Sequence, residues 1–120
     1  MNTIAVDAMG GDSAPTDIVK GAIKAKEQGV DVVLCGDKDL INPYLENYEI
    51  PVFDFPQVIS MDEDPLRAIR NKKNASIVGC MQLLKDKKVQ AVFSAGSTGA
   101  TLISAISILG KHKGVIRPVI

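Results

Sequence analysis

The sequence is poor in aromatic residues and has no excess charge of either sign. It contains no Trp, and Phe and Tyr together make up 4% of its 120 residues. Lys plus Arg and Asp plus Glu both number 14, so the chain has no global field that would gather nucleic acid or an anionic membrane. Any anion site in this protein must therefore be local.

Cysteine is also scarce. Cys35 and Cys80 are far apart in the sequence, no CxxC motif is present, and His112 is the only imidazole. Both cysteines stand beside apolar residues and glycine, which predicts buried structural thiols in a reducing, cytoplasmic setting. His112 lies between two lysines, so we expect it to be exposed and without a function.

No targeting or membrane-spanning segment is evident. The N-terminus lacks the basic and apolar regions of a signal peptide. Residues 89–110 carry no charge and are numerous enough to span a membrane, but they include six Ser or Thr residues and three glycines. A buried strand, a turn at residues 94–99 and a helix are the favoured interpretation.

Hydrophobic periodicity predicts an alternation of strands and helices. The predicted strands cover residues 4–6, 30–34, 50–55 and 89–93, and the prolines flanking the third strand place it at a sheet edge. The predicted helices begin at Pro15 or Thr16, at Asp37 with an interruption at Pro43, at Asp64-Pro65, at Asn74 or Ser76, and at Ala100. This order predicts an α/β fold of one domain, with a mainly parallel sheet covered on both faces.

The C-terminal run of residues 114–120 is apolar and predicts a strand that is cut off as it starts, or one that pairs with something outside the chain. We therefore expect residues 1–120 to be the N-terminal part of a single catalytic domain in a longer chain.

Two strand-to-helix loops have the composition of a ligand site. In residues 94–99, Gly96 and Gly99 permit close backbone approach, Ser94, Ser97 and Thr98 offer hydroxyl groups, and the following helix adds its positive end. This loop predicts an anion site, and the alternative is a helix cap with packing glycines. The GxGxxG and GxxxxGK[ST] nucleotide motifs are both absent.

The other loop, residues 7–12, contains two carboxylates that would repel an anion. Asp7 and Asp12 are therefore suited to orienting a cationic side chain, a Mg²⁺ ion or backbone donors. The alternative is a simple turn in which Gly10 and Gly11 supply positive φ angles and Asp12 or Ser13 caps the helix. Composition alone does not separate these two interpretations.

A basic cluster follows the third strand. Its members are Arg67, Arg70, Lys72 and Lys73. They predict either a solvated surface or cations that reach an anion in the crevice beside the two loops.

Four segments, taken in order, resemble the bacterial phosphate acyltransferases of the PlsX family. They are VDAMGGD with the following AP at residues 6–15, EDPLRAIRNKKN at residues 63–74, SAGSTGA at residues 94–100 and KGVIRP at residues 113–118. The resemblance covers essentially the whole chain. One departure is Ser97, which stands where the family usually has Asn.

The resemblance implies an enzyme of fatty acid and phospholipid synthesis. Its implied reaction transfers a fatty acyl group from acyl carrier protein to inorganic phosphate and yields an acyl phosphate. It also implies a cytoplasmic homodimer with a three-layer α/β/α fold like that of isopropylmalate dehydrogenase or phosphotransacetylase. No cofactor, metal or nucleic acid is expected, and peripheral association with the membrane stays open.

This chemistry gives each candidate residue a hypothetical task. Arg70, Lys72 and Ser97 form the catalytic set, in which the two cations compensate the phosphate charge. Phosphate or the oxyanion would be held by Gly10, Gly11, Ser94, Gly96, Thr98 and Gly99. Asp7 and Asp12 would orient the cations. Two alternatives are an anion-binding or assembly module without activity and a phosphotransacetylase-like enzyme that uses coenzyme A thioesters.

Overall fold

The computed structural model describes residues 2–119 and forms a four-stranded parallel sheet flanked by five helices. The strands are β1 (Thr3–Asp7), β2 (Asp31–Gly36), β3 (Val52–Asp54) and β4 (Ala91–Phe93). The helices are α1 (Thr16–Glu27), α2 (Lys38–Leu45), α3 (Pro65–Asn71), α4 (Ser76–Lys85) and α5 (Thr98–Leu109). The strand order is β3-β2-β1-β4, so β3 lies at an edge as its prolines predicted.

The alternation of side chains along β2 separates two hydrophobic layers. Val32 and Leu34 pack with α1 and α2 on one face, whereas Val33 and Cys35 pack with α4 on the other. A third cluster joins α3, α4 and α5. The predicted α/β architecture with helices on both faces is therefore confirmed, and it is consistent with three α/β/α layers.

Both cysteines are buried and unpaired, as the sequence predicted. Cys35 lies on β2 and Cys80 on α4, within the same cluster. A hydrogen bond with Cys35 and burial in apolar surroundings raise the pKa of the Cys80 thiol well above its usual range. The two thiols therefore belong to the core.

The predicted interruption of α2 was wrong. Helix α2 continues through Pro43 without interruption, because it is only 8 residues long and is held by the Asp37 cap and by two buried side chains, Ile41 and Leu45. The described residues 114–119 of the C-terminal run contain turns and bends and no strand, whereas pairing of this run with something outside the chain stays a prediction. Ile120, the last residue of that run, lies outside the described part of the chain.

One side of the molecule remains open beside β4. Within residues 2–119 this strand pairs only with β1, and Phe93 at its end is 53% exposed. An apolar groove of about 420 Å³ lies between this edge and α1, and Ile18, Ala22 and Val32 contribute to its walls. No helix among residues 2–119 is both long enough and apolar enough to cross a bilayer.

Helix α4 lies unusually close to the segment that follows β3. A Cβ atom added to Gly79 would lie 2.4 to 2.7 Å from atoms of the Phe55 ring. Phe55 itself is fixed, since its amide donates to the Gly36 carbonyl at 2.8 Å. The missing side chain of Gly79 is therefore what permits this helix to rest on the ring.

We expect Gly79→Ala to lower the free energy of unfolding by about 1–3 kcal/mol, because the added methyl group overpacks the Phe55 contact. Urea unfolding followed by circular dichroism measures the change. Gly21→Ala is the matched control, since Gly21 lies in a helix with nothing within 4 Å of an added Cβ. That variant should gain about 0.5–1 kcal/mol. Equal effects of the two substitutions would contradict the packing argument.

Candidate functional site

The centre of the candidate site is the buried carboxylate of Asp7, which is 3% exposed at the carboxyl end of β1. Its Oδ1 accepts the Met9 amide at 3.2 Å and the hydroxyl of Ser76. Its Oδ2 accepts the hydroxyl of Ser94 at 2.8 Å. One side chain thus connects β1, the start of α4 and the loop that follows β4.

The hydrogen bonds continue from Asp7 into that loop. The Ser94 hydroxyl donates to Asp7 and accepts the Gly96 amide at 3.1 Å. The two predicted loops therefore face each other, as expected from the shared carboxyl edge of the parallel strands.

Glycine permits the close contact between the two loops. A Cβ atom on Gly10 would lie 2.9 Å from the Gly96 nitrogen and 2.7 Å from Asp7 Oδ2. Gly11 adopts a φ of 103°, and an added Cβ would lie 3.1 Å from the Ala95 carbonyl oxygen. The expected positive φ is therefore found at Gly11 and not at Gly10, and neither Asp12 nor Ser13 caps α1, whereas both glycines permit the approach of the second loop.

The N-terminus of α5 offers free hydrogen-bond donors. Ser97 caps this helix, and its Oγ accepts the Ala100 amide at 3.2 Å. The amides of Thr98 and Gly99 have no acceptor among the hydrogen bonds of the described residues. Unpaired amides of the first turn and the helix dipole together favour an anion.

Gly99 also has a packing function. A Cβ atom at this position would lie 2.6 Å from Pro65 Cγ, where α5 meets α3. The alternative of a packing glycine therefore holds at Gly99, and contact of its backbone with phosphate stays a prediction.

A cleft of about 300 Å³ opens beside these loops. Its walls are Met9, Gly11, Asp12, Gly96 and Ser97 on one side and residues 58–62 on the other. Asp12 and Asp62 are exposed and contribute negative charge, whereas the described lining contains no Lys or Arg. The loop geometry suits an anion, but this part of the chain places no cation in the cleft.

The basic residues lie elsewhere. Arg70 is exposed near the end of α3, and the Lys72 ammonium is 2.8 Å from Glu63 Oε2 and 2.7 Å from the Val58 carbonyl oxygen. Asp7 therefore bonds to hydroxyl and amide donors rather than to Arg70 or Lys72. Of the tasks that the sequence left open for Asp7, the orientation of backbone donors matches these contacts. Orientation of cations by Asp12 stays a prediction.

The hydrogen bond from Lys72 lowers the pKa of the Glu63 carboxyl, and the Ser60 amide, at 2.8 Å, adds to this effect. These contacts tie residues 58–63 to the end of α3. Residues 58–62 form one wall of the cleft. Lys72 therefore stabilises this wall through its bonds to Val58 and Glu63.

Sequence reasoning missed two parts of the site. Ser76 was predicted only as a helix start, although it is buried and bonds to a residue 69 positions away. Residues 58–62 gave no periodic pattern, yet they form a cleft wall that includes Met61, 57% exposed. A serine that opens an apolar helix was the one available signal.

Comparison with known proteins agrees with the resemblance seen in the sequence. A family model described as "Fatty acid synthesis protein" matches residues 2–120. The chain belongs to this family. Membership of the fatty acid synthesis protein family accounts for all four segments that carry the resemblance.

Curated relatives in this family are named phosphate acyltransferase. The protein of Gloeothece citriformis is 50% identical over 122 residues, covering 98% of this chain and 35% of the relative. Those of Desulforamulus reducens and Nostoc punctiforme are 48% and 46% identical, covering 100% and 98% of this chain and 38% and 36% of the relatives. The chain thus spans little more than a third of their length.

We expect Lys72→Met to raise the pKa of Glu63 toward its ordinary value, because the substitution removes the ammonium that stabilises the ionised carboxyl. The Glu63 pKa is lowered in the folded state, so the pair stabilises the fold above the ordinary carboxyl pKa. This contribution is lost as the pH falls through the folded-state value. The stability difference between wild type and variant should therefore disappear in acid.

An NMR titration of the Glu63 carboxyl carbon measures the shift. The control is Lys73→Met, which removes the neighbouring exposed ammonium and should leave the Glu63 titration unchanged. An equal shift in both variants would contradict the specific pairing with Lys72.

Proposed function

We propose that this chain forms the phosphate-holding part of an acyltransferase. The reaction moves a fatty acyl group from an acyl carrier protein thioester to inorganic phosphate and yields an acyl phosphate for phospholipid synthesis. The observation that carries the proposal is the open N-terminus of α5 beside the cleft, in a chain whose relatives are named phosphate acyltransferase.

The reaction needs an anion that is held without being neutralised by protonation. A phosphate oxygen attacks the thioester carbonyl carbon, a tetrahedral oxyanion forms, and the C–S bond breaks. The departing thiolate takes up the proton that phosphate loses. Fixed donors that face the developing charge lower this barrier because they need no reorganisation during the reaction.

The α5 loop supplies these donors. The amides of Thr98 and Gly99 bind the anion, and the Ser97 hydroxyl donates its hydrogen, because its oxygen already accepts the Ala100 amide. Gly96 and Gly10 have no side chain that would block the approach of phosphate. The Ser94 hydroxyl holds the loop in place by accepting the Gly96 amide. In this arrangement Gly11 supports the turn.

Positive charge comes from Arg70 and Lys72 in this proposal. The Lys72 ammonium releases Glu63 and binds the phosphate instead, because the Glu63 carboxylate and phosphate are both anions that compete for it. The reaction takes place in the cytoplasm, in keeping with two free thiols. A homodimer and a peripheral position at the membrane are proposed on the family resemblance alone.

A second candidate function is an anion-binding or assembly module that is catalytically incomplete. Two observations favour it: the chain spans 35% to 38% of three relatives, and the cleft lining of its described residues lacks Lys and Arg. In that case the remaining cations and the carrier-protein surface would come from another part of a longer protein.

Titration of the ¹⁵N-labelled chain with inorganic phosphate tests the shared anion site. We expect phosphate to shift the amide signals of Thr98 and Gly99, and chloride at equal ionic strength to leave them in place. Ser97→Ala should weaken binding by about tenfold through loss of a hydrogen bond to a charged group. Ser97→Asn keeps a capping oxygen and a donor and should retain binding.

The matched control is Ser107→Ala, which removes an exposed hydroxyl from the far end of the same helix and should leave phosphate affinity unchanged. The assignment of this loop would be overturned if phosphate left the amide signals of Thr98 and Gly99 in place. It would also be overturned if Ser97→Ala and Ser107→Ala lost phosphate affinity equally.

Incubation of the chain with phosphate and acyl carrier protein thioesters separates the two functions. Acyl phosphate, trapped as a hydroxamate with hydroxylamine, would support the acyltransferase, and its absence despite phosphate binding would support the incomplete module. A preference for coenzyme A thioesters would instead favour a phosphotransacetylase-like enzyme.

A further inference from the structure

We propose that Asp7 is a positioning residue that acts on the anion loop through Ser94, and that Ser76 holds Asp7 for this task. The orientation of the loop follows from the contacts of Asp7 itself. Only its consequence for phosphate affinity rests on the proposed function.

Asp7 is held from three directions. Its Oδ1 accepts the Met9 amide at 3.2 Å and the Ser76 hydroxyl, and its Oδ2 accepts the Ser94 hydroxyl at 2.8 Å. Because the side chain is 3% exposed, water cannot replace these donors freely. The direction of each carboxylate oxygen is therefore fixed.

An ionised carboxylate accepts hydrogen bonds and cannot donate them, so it determines the direction of the Ser94 hydroxyl. Ser94 has one hydrogen and gives it to Asp7. Its oxygen is then left as an acceptor, and the Gly96 amide donates to it at 3.1 Å. Asp7 thus fixes the direction of the Gly96 backbone amide, which is connected to it through two successive hydrogen bonds by way of Ser94.

Gly96 and Ser97 line the cleft immediately before the first residue of α5. With the Gly96 amide turned toward Ser94, the next residue, Ser97, takes the capping position of α5. Gly10 is pressed against both ends of the network, since an added Cβ would approach Asp7 Oδ2 to 2.7 Å and the Gly96 nitrogen to 2.9 Å. The loop therefore has little freedom to adopt another path.

Ser76 links Asp7 to the start of α4. It is 3% exposed at the first position of α4, and its own amide donates to the Gln57 carbonyl at 3.1 Å. Its hydroxyl is free to bond Asp7. Removal of this hydroxyl leaves the charge of Asp7 in place but takes one of the two donors from Oδ1.

The test compares Asp7→Asn, Ser76→Ala and Ser94→Ala in the 120-residue chain by the hydrogen-exchange rate of the Gly96 amide. Asp7→Asn places a donor where Ser94 needs an acceptor, so we expect exchange about tenfold faster, as for one lost hydrogen bond. Ser76→Ala should show a smaller increase at the same amide, and Ser94→Ala at least as large an increase as Asp7→Asn. Amides of β2 should be much less affected.

Ser104→Ala is the control for loss of a buried hydroxyl. Ser104 is fully buried in α5, and its hydroxyl donates to the Thr101 carbonyl oxygen at 3.1 Å, away from the loop. Ser104→Ala should leave the exchange rate of the Gly96 amide unchanged relative to the exchange rates of the β2 amides. If Ser94→Ala accelerates Gly96 exchange and both Asp7→Asn and Ser76→Ala do not, Asp7 is not a positioning residue.

Phosphate titration of the same variants separates this inference from the proposed function. We expect an apparent Kd raised by about fivefold to tenfold in Asp7→Asn, if the loop must be oriented to bind. A wild-type chain that binds no phosphate contradicts the proposed function, while the exchange data still decide the positioning role. Wild-type binding that Asp7→Asn leaves unchanged overturns the link from Asp7 to the anion.

Where Asp7→Asn does not fold, Ser76→Ala decides, because it retains the carboxylate and its two other donors. Faster exchange confined to Gly96 and its neighbours supports the inference. Faster exchange spread equally over all strands indicates a general loss of stability and overturns it.

Discussion

The arrangement of this protein depends on one buried carboxylate and the hydrogen bonds that it accepts. An ionised group removed from water is strongly unfavourable unless donors replace its hydration. For Asp7 these donors come from its own turn, from α4 and from the loop after β4. The carboxylate can therefore stay buried only while a strand end, a helix start and a distant loop meet at one place, and this requirement ties β1 to α4 and to the loop before α5.

Much of the fold could be predicted because its elements follow local patterns. The run of residues 30–34 is rich in β-branched side chains, which predicted a strand, and in the structure Val32 and Leu34 face one layer whereas Val33 and Cys35 face the other. The Asp64-Pro65 start of α3 is equally local, since the Asp64 side chain accepts the Arg67 amide at 3.2 Å. The uninterrupted α2 was not predictable from Pro43 alone, because buried neighbours decided it.

The candidate site was predictable in its loops but not in its charges. Composition identified residues 7–12 and 94–99, and strand polarity placed them together. The partner of Lys72 could not be inferred, because Glu63 is nine positions away across a cap and a helix. Likewise, nothing local indicates that Ser76 reaches Asp7. Lys72 thus pairs with Glu63, Asp7 bonds to hydroxyl and amide donors, and the cleft lining within residues 2–119 contains no Lys or Arg.

The contact between Gly79 and Phe55 restricts which substitutions this protein can accept during evolution. The two positions share one small volume, so a larger side chain at Gly79 requires a smaller one at Phe55. Gly79 lies one turn after Ser76, on the helix that holds Asp7. A larger side chain at Gly79 alone would therefore press on Phe55 and displace the helix that supports the site, so we expect it to be accompanied by a smaller side chain at Phe55.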